Sequence, residues 1–311
     1  MPDESGQPDP ASKSGRYARQ VVYRNLGPDG QRRLADRHVV LIGCGALGSL
    51  LANILVRSGV GYLRIVDRDV VELNNLHRQV LFDEQDVTEG LPKAEAARRK
   101  LVRVNSEVRI DAEVVDAHAA NVERLTEGAH LLLDGTDNFE TRYLINDVSV
   151  KHNIPWVYAG VVEDYGSVMP ILPGITPCLR CMFPEPPGPG EVETCETVGV
   201  LASAVAVVVA LSATEALKIL AGHLDALNRR LVQVDVWTGQ LNAVYAGPER
   251  RVPDCPCCVQ RRFEFLGGRA TSAALLCGQN AVQITPTPPT VVDLADPVSY
   301  THLTLPTIYS V

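Results

Sequence analysis

HVVLIGCGALG, residues 38–48, is the stretch of the chain that decides its fold. The apolar run His38–Ile42 predicts a buried strand, and Gly43, Gly45 and Gly48 follow it at once, before a helical pattern begins. A strand that leads into such a loop and then a helix places backbone N–H groups where phosphates bind. The loop alone also fits nicotinamide and flavin enzymes, or glycines needed only for tight packing, so it does not choose the ligand.

Short apolar runs alternate with longer amphipathic segments on both sides of this loop. We predict parallel strands at 38–42, 62–66, 109–114, 130–133 and 156–159, and helices near 46–58, 93–104, 119–126 and 138–152. Further along we predict a strand at 166–172, a long buried helix at about 198–221, and strands at 231–236 and 240–245 joined by a tight turn. The expected class is α/β, a doubly wound, mostly parallel, Rossmann-like sheet with added antiparallel strands.

Composition narrows the classes of function. The chain has 311 residues, 46% of them hydrophobic, which is enough for a large core. Its net charge of -8 disfavours a nucleic-acid surface. No secretory signal pattern opens the chain, and the apolar run Val198–Leu211 is too short to cross a bilayer, so we expect no membrane association. Eight cysteines that include two C-x-x-C pairs favour a reducing, cytoplasmic location.

Charged and polar residues cluster after the second and fourth predicted strands. They are Asp67, Asp69, Asn75, Arg78, Gln79, Lys93 and the run Asp134-x-Thr136-Asp137-Asn138. Hydride transfer needs no such charge, whereas two cations and a carboxylate near a helix N-terminus suit ATP and its magnesium ion. Each residue alone has a simpler explanation, since Arg78 could pair with Asp69 and Asp137 could cap a helix. Their shared position at the carboxyl edge of the sheet favours ATP.

Together these residues resemble the ThiF/MoeB family of ubiquitin-activating-like adenylyltransferases, also written HesA/MoeB/ThiF. The match runs from Arg16-Tyr17-x-Arg19-Gln20 to the final cysteine pair near residue 258. The resemblance implies a nucleotide site formed by Gly43, Gly45, Ala46, Gly48, Asp67 (ribose), Asp69, Asn75, Arg78, Lys93 (polyphosphate), Asp137 (magnesium) and Asn138. It also implies a homodimer in which Arg19 reaches the ATP of the neighbouring subunit.

The implied reaction is adenylation of the C-terminal Gly-Gly carboxylate of a small ubiquitin-like sulfur-carrier protein, in molybdopterin, thiamine or related sulfur transfer. A C-terminal carboxylate, with a pKa of about 3.3 to 3.7, is already ionised at neutral pH, so no general base is required. Catalysis then reduces to positioning the reactants and stabilising charge, through Arg78, Lys93, Arg19 and magnesium.

The cysteines predict a metal site. Cys178-Leu-Arg-Cys181 and Cys255-Pro-Cys257-Cys258 supply two knuckles, and four thiolates make a closed tetrahedral zinc site of structural type. We expect Cys258 rather than Cys257 to be the fourth ligand; a redox C-x-x-C pair is the weaker alternative.

Three further cysteines have separate expectations. Cys195 matches the position where the family sometimes carries a thioester or a persulfide-derived link, so it is a possible nucleophile. Its acidic neighbours and the helix that follows shift its pKa in opposite directions, so the sign stays open. Cys44 and Cys277 are expected to be buried, small hydrophobic residues.

The expected domain organisation has four parts. These are a disordered lead-in at 1–15, an adenylyltransferase domain at 16–258, the start of a small, truncated C-terminal unit at 259–297, and a non-native tail at 298–311. The tail includes VSYTHLTLPT, which is similar to a translated transposon-end adapter and should pack against nothing. Three other functions remain open: a nicotinamide-dependent oxidoreductase, a zinc-stabilised binding module, and a relative that activates a tRNA nucleoside.

Overall fold

The fold is built on one eight-stranded sheet with strand order β3-β2-β1-β4-β5-β6-β7-β8. The computed structural model describes residues 15–187, 195–268, 273–276 and 281–284. The strands are β1 (His38–Ile42), β2 (Tyr62–Val66), β3 (Arg109–Glu113), β4 (Leu131–Asp134), β5 (Trp156–Val162), β6 (Tyr165–Ile171), β7 (Arg230–Asp235), β8 (Gln240–Tyr245), β9 (Ala273–Leu276) and β10 (Ala281–Ile284).

Helices separate consecutive strands from β1 to β5. The helices are α1 (Ala18–Val21), α2 (Gly27–Ala35), α3 (Ala46–Ser58), α4 (Glu84–Glu89), α5 (Lys93–Val104), α6 (Val122–Thr126), α7 (Phe139–His152), α8 (Leu179–Met182), α9 (Cys195–Val198) and α10 (Ala202–Ala221). Short 3₁₀ turns lie at Leu73–Asn75, Leu224–Ala226 and Pro248–Arg250.

The sheet is mixed, as expected. Strands β3, β2, β1, β4 and β5 pair in parallel, and β6, β7 and β8 add to β5 in antiparallel register. Along β1, Val39 and Leu41 face the core shared with α3, α5 and α10, whereas Val40 and Ile42 face the core shared with α6 and α7. The sheet is therefore covered on both faces, and this doubly wound α/β architecture confirms the predicted class.

The strand order reverses between β1 and β4. From β1 the chain proceeds to β2 and β3 on one side, and from β4 to β5 on the other. Loops that leave neighbouring strands in opposite directions open a crevice at the carboxyl edge, which is where open α/β sheets bind ligands. The glycine loop and the Asp134–Asn138 segment leave these two strands.

The predicted long apolar helix forms as α10, which begins at Ala202 rather than near residue 198. Gly199, with φ of 88°, separates α9 from α10, a break that the apolar pattern does not reveal. By length and composition α10 could cross a membrane, but 61% of its most apolar window is buried inside the protein. It packs against β5, β6 and α3, as a core helix does.

Some predictions fall outside the described residues. These include nearly all of the lead-in at 1–15, the tail at 298–311 and Cys277. Of the segment 259–297, the structure describes turns up to Gly268 and an antiparallel pair formed by β9 and β10. The proposed boundaries of the four parts stay predictions.

Candidate nucleotide and metal sites

Three glycines bring the two loops at the switch point into backbone contact. A Cβ at Gly43, where φ is 89°, would lie 2.5 Å from the Gly135 carbonyl oxygen. A Cβ at Gly48 would lie 2.0 Å from the Gly43 oxygen, and one at Gly135 would lie 2.3 Å from the same oxygen. No side chain fits in these spaces, so Gly43, Gly48 and Gly135 pack the Asp134–Asn138 segment directly onto the glycine loop.

Gly45 differs from these packing glycines. It precedes α3, and among the described residues a Cβ there would meet only the Gln79 amide, at 3.7 Å. The space in front of Gly45 is therefore open at the N-terminus of a 13-residue helix, where N–H groups lack helical partners. Ala46 begins that helix. This opening is the geometry that a phosphate requires.

Asp67 stabilises the glycine loop through a backbone hydrogen bond. Its Oδ2 accepts a hydrogen bond from the Cys44 N–H at 2.6 Å, and its Oδ1 accepts one from the Asp69 N–H at 2.8 Å. Burial raises the pKa of this carboxyl to about 6, although the nearby Lys93 ammonium opposes the shift. Cys44 is fully buried, as predicted.

Lys93 links the acidic residues after β2 to the loop after β4. Its Nζ donates to Asp69 Oδ2 at 2.9 Å, and the side chain is buried. Burial alone would lower the pKa of the ammonium, but Asp67 and Asp69, with a contribution from Asp137, hold it above its ordinary value. Asp69 thus pairs with Lys93, and more distantly with Arg68 at 3.8 Å, and not with Arg78.

Asn75 ends the 3₁₀ turn Leu73–Asn75, and Arg78 lies on the segment that follows it. Asn75 is buried, and its Oδ1 accepts from the Glu72 N–H at 3.1 Å, so it shapes the turn. Arg78 donates to the Asn74 carbonyl at 2.8 Å and makes no ion pair within the described part of the chain, which leaves its charge available. Gln79 is only 3% exposed and lies beside Gly45.

The segment after β4 carries Asp137 and Asn138, both exposed. Asn138, not Asp137, caps α7, because its Oδ1 accepts from the Thr141 N–H at 2.8 Å. Asp134 and Arg142, which the pattern of the sequence did not single out as a pair, form a buried ion pair behind this segment at 3.1 Å. Arg142 is the one charged residue among the buried positions in the first half of α7. An arginine beside the apolar run Tyr143–Ile145 was the sequence signal that could have indicated a buried ion pair.

Arg19 does not join the other site residues within one chain. It is exposed on α1, and the neighbouring Gln20 binds the Ser58 carbonyl while Tyr17 packs against Gly59. These contacts fix α1 at the C-terminal end of α3, whose 13 residues span about 20 Å. The glycine loop is at the opposite end of that helix.

The four predicted ligand cysteines converge. The sulfurs of Cys178, Cys181, Cys255 and Cys258 all lie within 4.8 Å of one another. Neighbouring pairs are separated by 3.9, 3.6 and 3.5 Å. Tetrahedral zinc with bonds of about 2.3 Å places its sulfurs about 3.8 Å apart, so the residues fit that ion.

Cys257 lies next to this cluster but outside it. It is buried, and its Sγ accepts a hydrogen bond from Asn146 Nδ2 at 3.2 Å. The Asn146 Oδ1 accepts from the Leu179 N–H at 2.8 Å, so one side chain on α7 holds both knuckles. Cys195 is the first residue of α9, and its side chain lies outside what the structure describes.

Comparisons with known proteins identify the family of this chain. A family model described as the ThiF family matches residues 17–257. The chain belongs to the ThiF family. It is 42% identical over 272 residues to the sulfur carrier protein ThiS adenylyltransferase of Bacillus subtilis, covering 87% of this chain and 80% of that protein. It is also 39% identical over 248 residues to the SAMP-activating enzyme E1 of Haloferax volcanii, covering 80% of this chain and 90% of that one.

Solved structures add a fold-level match. Escherichia coli MccB, crystallised with ATP, superposes with a TM-score of 0.68 at 26% identity, over 78% of this chain and 74% of that one. The ThiF family assignment and this similarity confirm the resemblance that the sequence motifs indicated, and they disfavour a nicotinamide enzyme.

Proposed function

We propose that the chain is an ATP-dependent adenylyltransferase that activates the C-terminal Gly-Gly carboxylate of a small ubiquitin-like sulfur-carrier protein. The observation that carries the proposal is the contact of the Asp137 segment with the glycine loop, with Lys93 close enough for Asp137 to influence its pKa. The two named relatives, which activate carriers called ThiS and SAMP, support this substrate class.

In the proposed reaction a carboxylate oxygen of the carrier attacks the α-phosphorus of ATP. A new O–P bond forms, the P–O bond to the β-phosphate breaks, and pyrophosphate leaves with that electron pair. The carboxylate is already ionised, so no proton has to move. The protein has only to align the two reactants and offset negative charge.

The described residues suit these tasks. The open N–H groups at Gly45 would hold the phosphates, and Arg78 and Lys93 would offset their charge. Asp137 is exposed at the same edge and would hold magnesium, which shields phosphate charge when bound. Asp67 retains lone pairs for a ribose hydroxyl beyond the two N–H groups it already accepts.

Arg19 is proposed to act on a second subunit. Its helix lies about 20 Å from the glycine loop of its own chain, along a 13-residue helix. A two-fold homodimer would let each subunit's Arg19 approach the other's nucleotide. When Arg19→Ala and Asp137→Ala chains are mixed, each mixed dimer has one intact site out of two. Random pairing makes about half of the dimers mixed, so the mixture should recover about a quarter of wild-type activity. A mixture as inactive as its components would contradict action across the interface.

The cysteine cluster is proposed to hold structural zinc that ties α8 to the segment at 255–258. We also propose a reducing, cytoplasmic location, since the six cysteines whose side chains the structure describes form no disulfide. Cys195 stays a predicted nucleophile. Its replacement by alanine should preserve ATP–pyrophosphate exchange and abolish any thiol-cleavable adduct with the carrier.

The test of the proposed function is ATP–pyrophosphate exchange with candidate carriers, comparing wild type, Asp137→Ala and Asp29→Ala. Asp29 is an exposed aspartate on α2 and serves as the matched control. We expect exchange in wild type and in the control, and a loss of at least about a hundredfold in Asp137→Ala. Unchanged exchange in Asp137→Ala would overturn the magnesium assignment.

A further inference from the structure

A buried arginine lies directly behind the Asp137 segment. Arg142 is 6% exposed, and its Nε donates to Asp134 Oδ2 at 3.1 Å, while Asp134 itself is fully buried. The guanidinium also lies over the rings of Phe139 and Tyr158, with centroid distances of 5.1 and 5.6 Å. The charge therefore lies close to two aromatic rings and is paired with a buried carboxylate.

Such a pair is expensive to bury, because both ions lose their water. Burial raises the pKa of the Asp134 carboxyl, and the guanidinium opposes that shift. Apolar residues of similar size would often stabilise a core equally well, so a buried ion pair is weak evidence of a role in stability alone. The other hydrogen bonds of Asp134 and Arg142 therefore indicate what further role the pair has.

Both members of the pair also bind Thr136, the residue before Asp137. Asp134 Oδ1 accepts from the Thr136 N–H at 2.9 Å and from its hydroxyl at 2.7 Å. Arg142 Nη2 donates to the Thr136 carbonyl oxygen at 2.9 Å. The N–H, the hydroxyl and the carbonyl of one residue are thus held from two sides. We call Asp134, Thr136 and Arg142 the clasp.

The clasp acts on the candidate site through the backbone. Gly135, between two of its members, packs against the Gly43 carbonyl of the glycine loop. Asp137 follows Thr136 immediately, and its charge lies close enough to influence the pKa of Arg142. A backbone fixed at 135 and 136 leaves the Asp137 carboxylate little freedom to move relative to the phosphate position at Gly45.

We infer that Arg142 is a positioning residue that sets the Asp137 carboxylate against the glycine loop and thereby tunes affinity for magnesium-bound nucleotide. The inference rests on the proposed function, because it takes Asp137 as the magnesium ligand. Arg142 touches neither substrate nor metal in this account. Its geometry matters more than its charge, since Arg142 binds Asp134 through Nε and the Thr136 carbonyl through Nη2, and the single nitrogen of a lysine does not reproduce these two donor positions.

The test is the affinity of a fluorescent ATP analogue, measured with magnesium and again with EDTA, for wild type and Arg142→Lys. Lysine keeps the charge and removes the fork. We expect affinity in magnesium to fall about tenfold, and affinity in EDTA to change less than about twofold. Equal losses in both conditions, or wild-type affinity in both, would overturn the inference.

Arg180→Lys is the matched control. Arg180 is also a buried, forked arginine, paired with Glu264 at 3.0 Å and Glu185 at 3.2 Å beside the cysteine cluster. It should lower Tm and leave the ratio of the two affinities unchanged. If Arg142→Lys does not fold, Thr136→Val removes the hydroxyl from the clasp with little change in shape, and should weaken binding selectively in magnesium.

The outcomes separate this inference from the proposed function. If wild type shows no magnesium-dependent nucleotide binding, the proposed function fails. If wild type shows it and both clasp variants match wild type, only the role of Arg142 fails.

Discussion

Two alanine substitutions in the glycine loop should affect different properties. Gly48→Ala should destabilise the fold, whereas Gly45→Ala should weaken ATP binding. A Cβ at Gly48 would lie 2.0 Å from the Gly43 carbonyl oxygen and 2.9 Å from its carbonyl carbon, so the backbone itself must move. Overpacking of this kind costs about 3 kcal/mol. For a domain of this size that corresponds to a fall of about 6–12 °C in Tm.

Gly45→Ala should leave the fold almost intact. Its Cβ would make one ordinary contact, 3.7 Å from the Gln79 amide, so we expect Tm to change by less than about 2 °C. The methyl group would instead occupy the space that the phosphate needs, and ATP affinity should fall at least about tenfold.

Thermal unfolding and ATP-analogue titration on the two purified variants check the pair together. If Gly48→Ala is as stable as wild type, the close backbone packing within the glycine loop, between Gly48 and the Gly43 carbonyl, is wrong. If Gly45→Ala binds ATP as tightly as wild type, the phosphates do not lie in front of Gly45.

Two further predictions concern the metal and the pH dependence of stability. Cys258→Ser should lose its zinc and part of its stability, whereas Cys257→Ser should keep one zinc per chain when metal content is measured by mass spectrometry. The reverse pattern would show that Cys257, and not Cys258, is the fourth ligand. The pKa of Asp67 is raised to about 6 from 3.8, so the stability that its protonated form contributes is fully present below pH 3.8 and lost as the pH rises through 6. Wild type should therefore lose stability relative to Asp67→Asn between pH 4 and 6 in urea unfolding, and a constant difference would contradict the raised pKa.

The parts of the fold that could be predicted depend on local pattern. The strand, glycine loop and helix at 38–58 lie next to one another in sequence, and the structure places β1 and α3 at the expected bounds. The carboxyl-edge position of Asp67 and Asp137 also followed, because parallel strands end at one edge. The reversal between β1 and β4 then brings their loops together.

The parts that could not be predicted depend on tertiary contacts. The partnership of Lys93 with Asp69 competes with that of Arg78, and sequence spacing does not decide between them. The role of Gly135 depends on its distance from the Gly43 carbonyl, which only the folded chain defines. Arg142 is eight residues from Asp134, and only the turn between β4 and α7 brings their side chains together.

The most direct test of carrier adenylation uses one carrier in two forms, a ubiquitin-like sulfur carrier ending in Gly-Gly and the same protein without its last glycine. ATP–pyrophosphate exchange is measured with the wild-type chain, ATP and magnesium. We expect exchange with the intact carrier and none above background with the truncated one, because the reacting carboxylate no longer reaches the α-phosphate. Equal exchange with both forms, or none with any Gly-Gly carrier, would contradict this expectation.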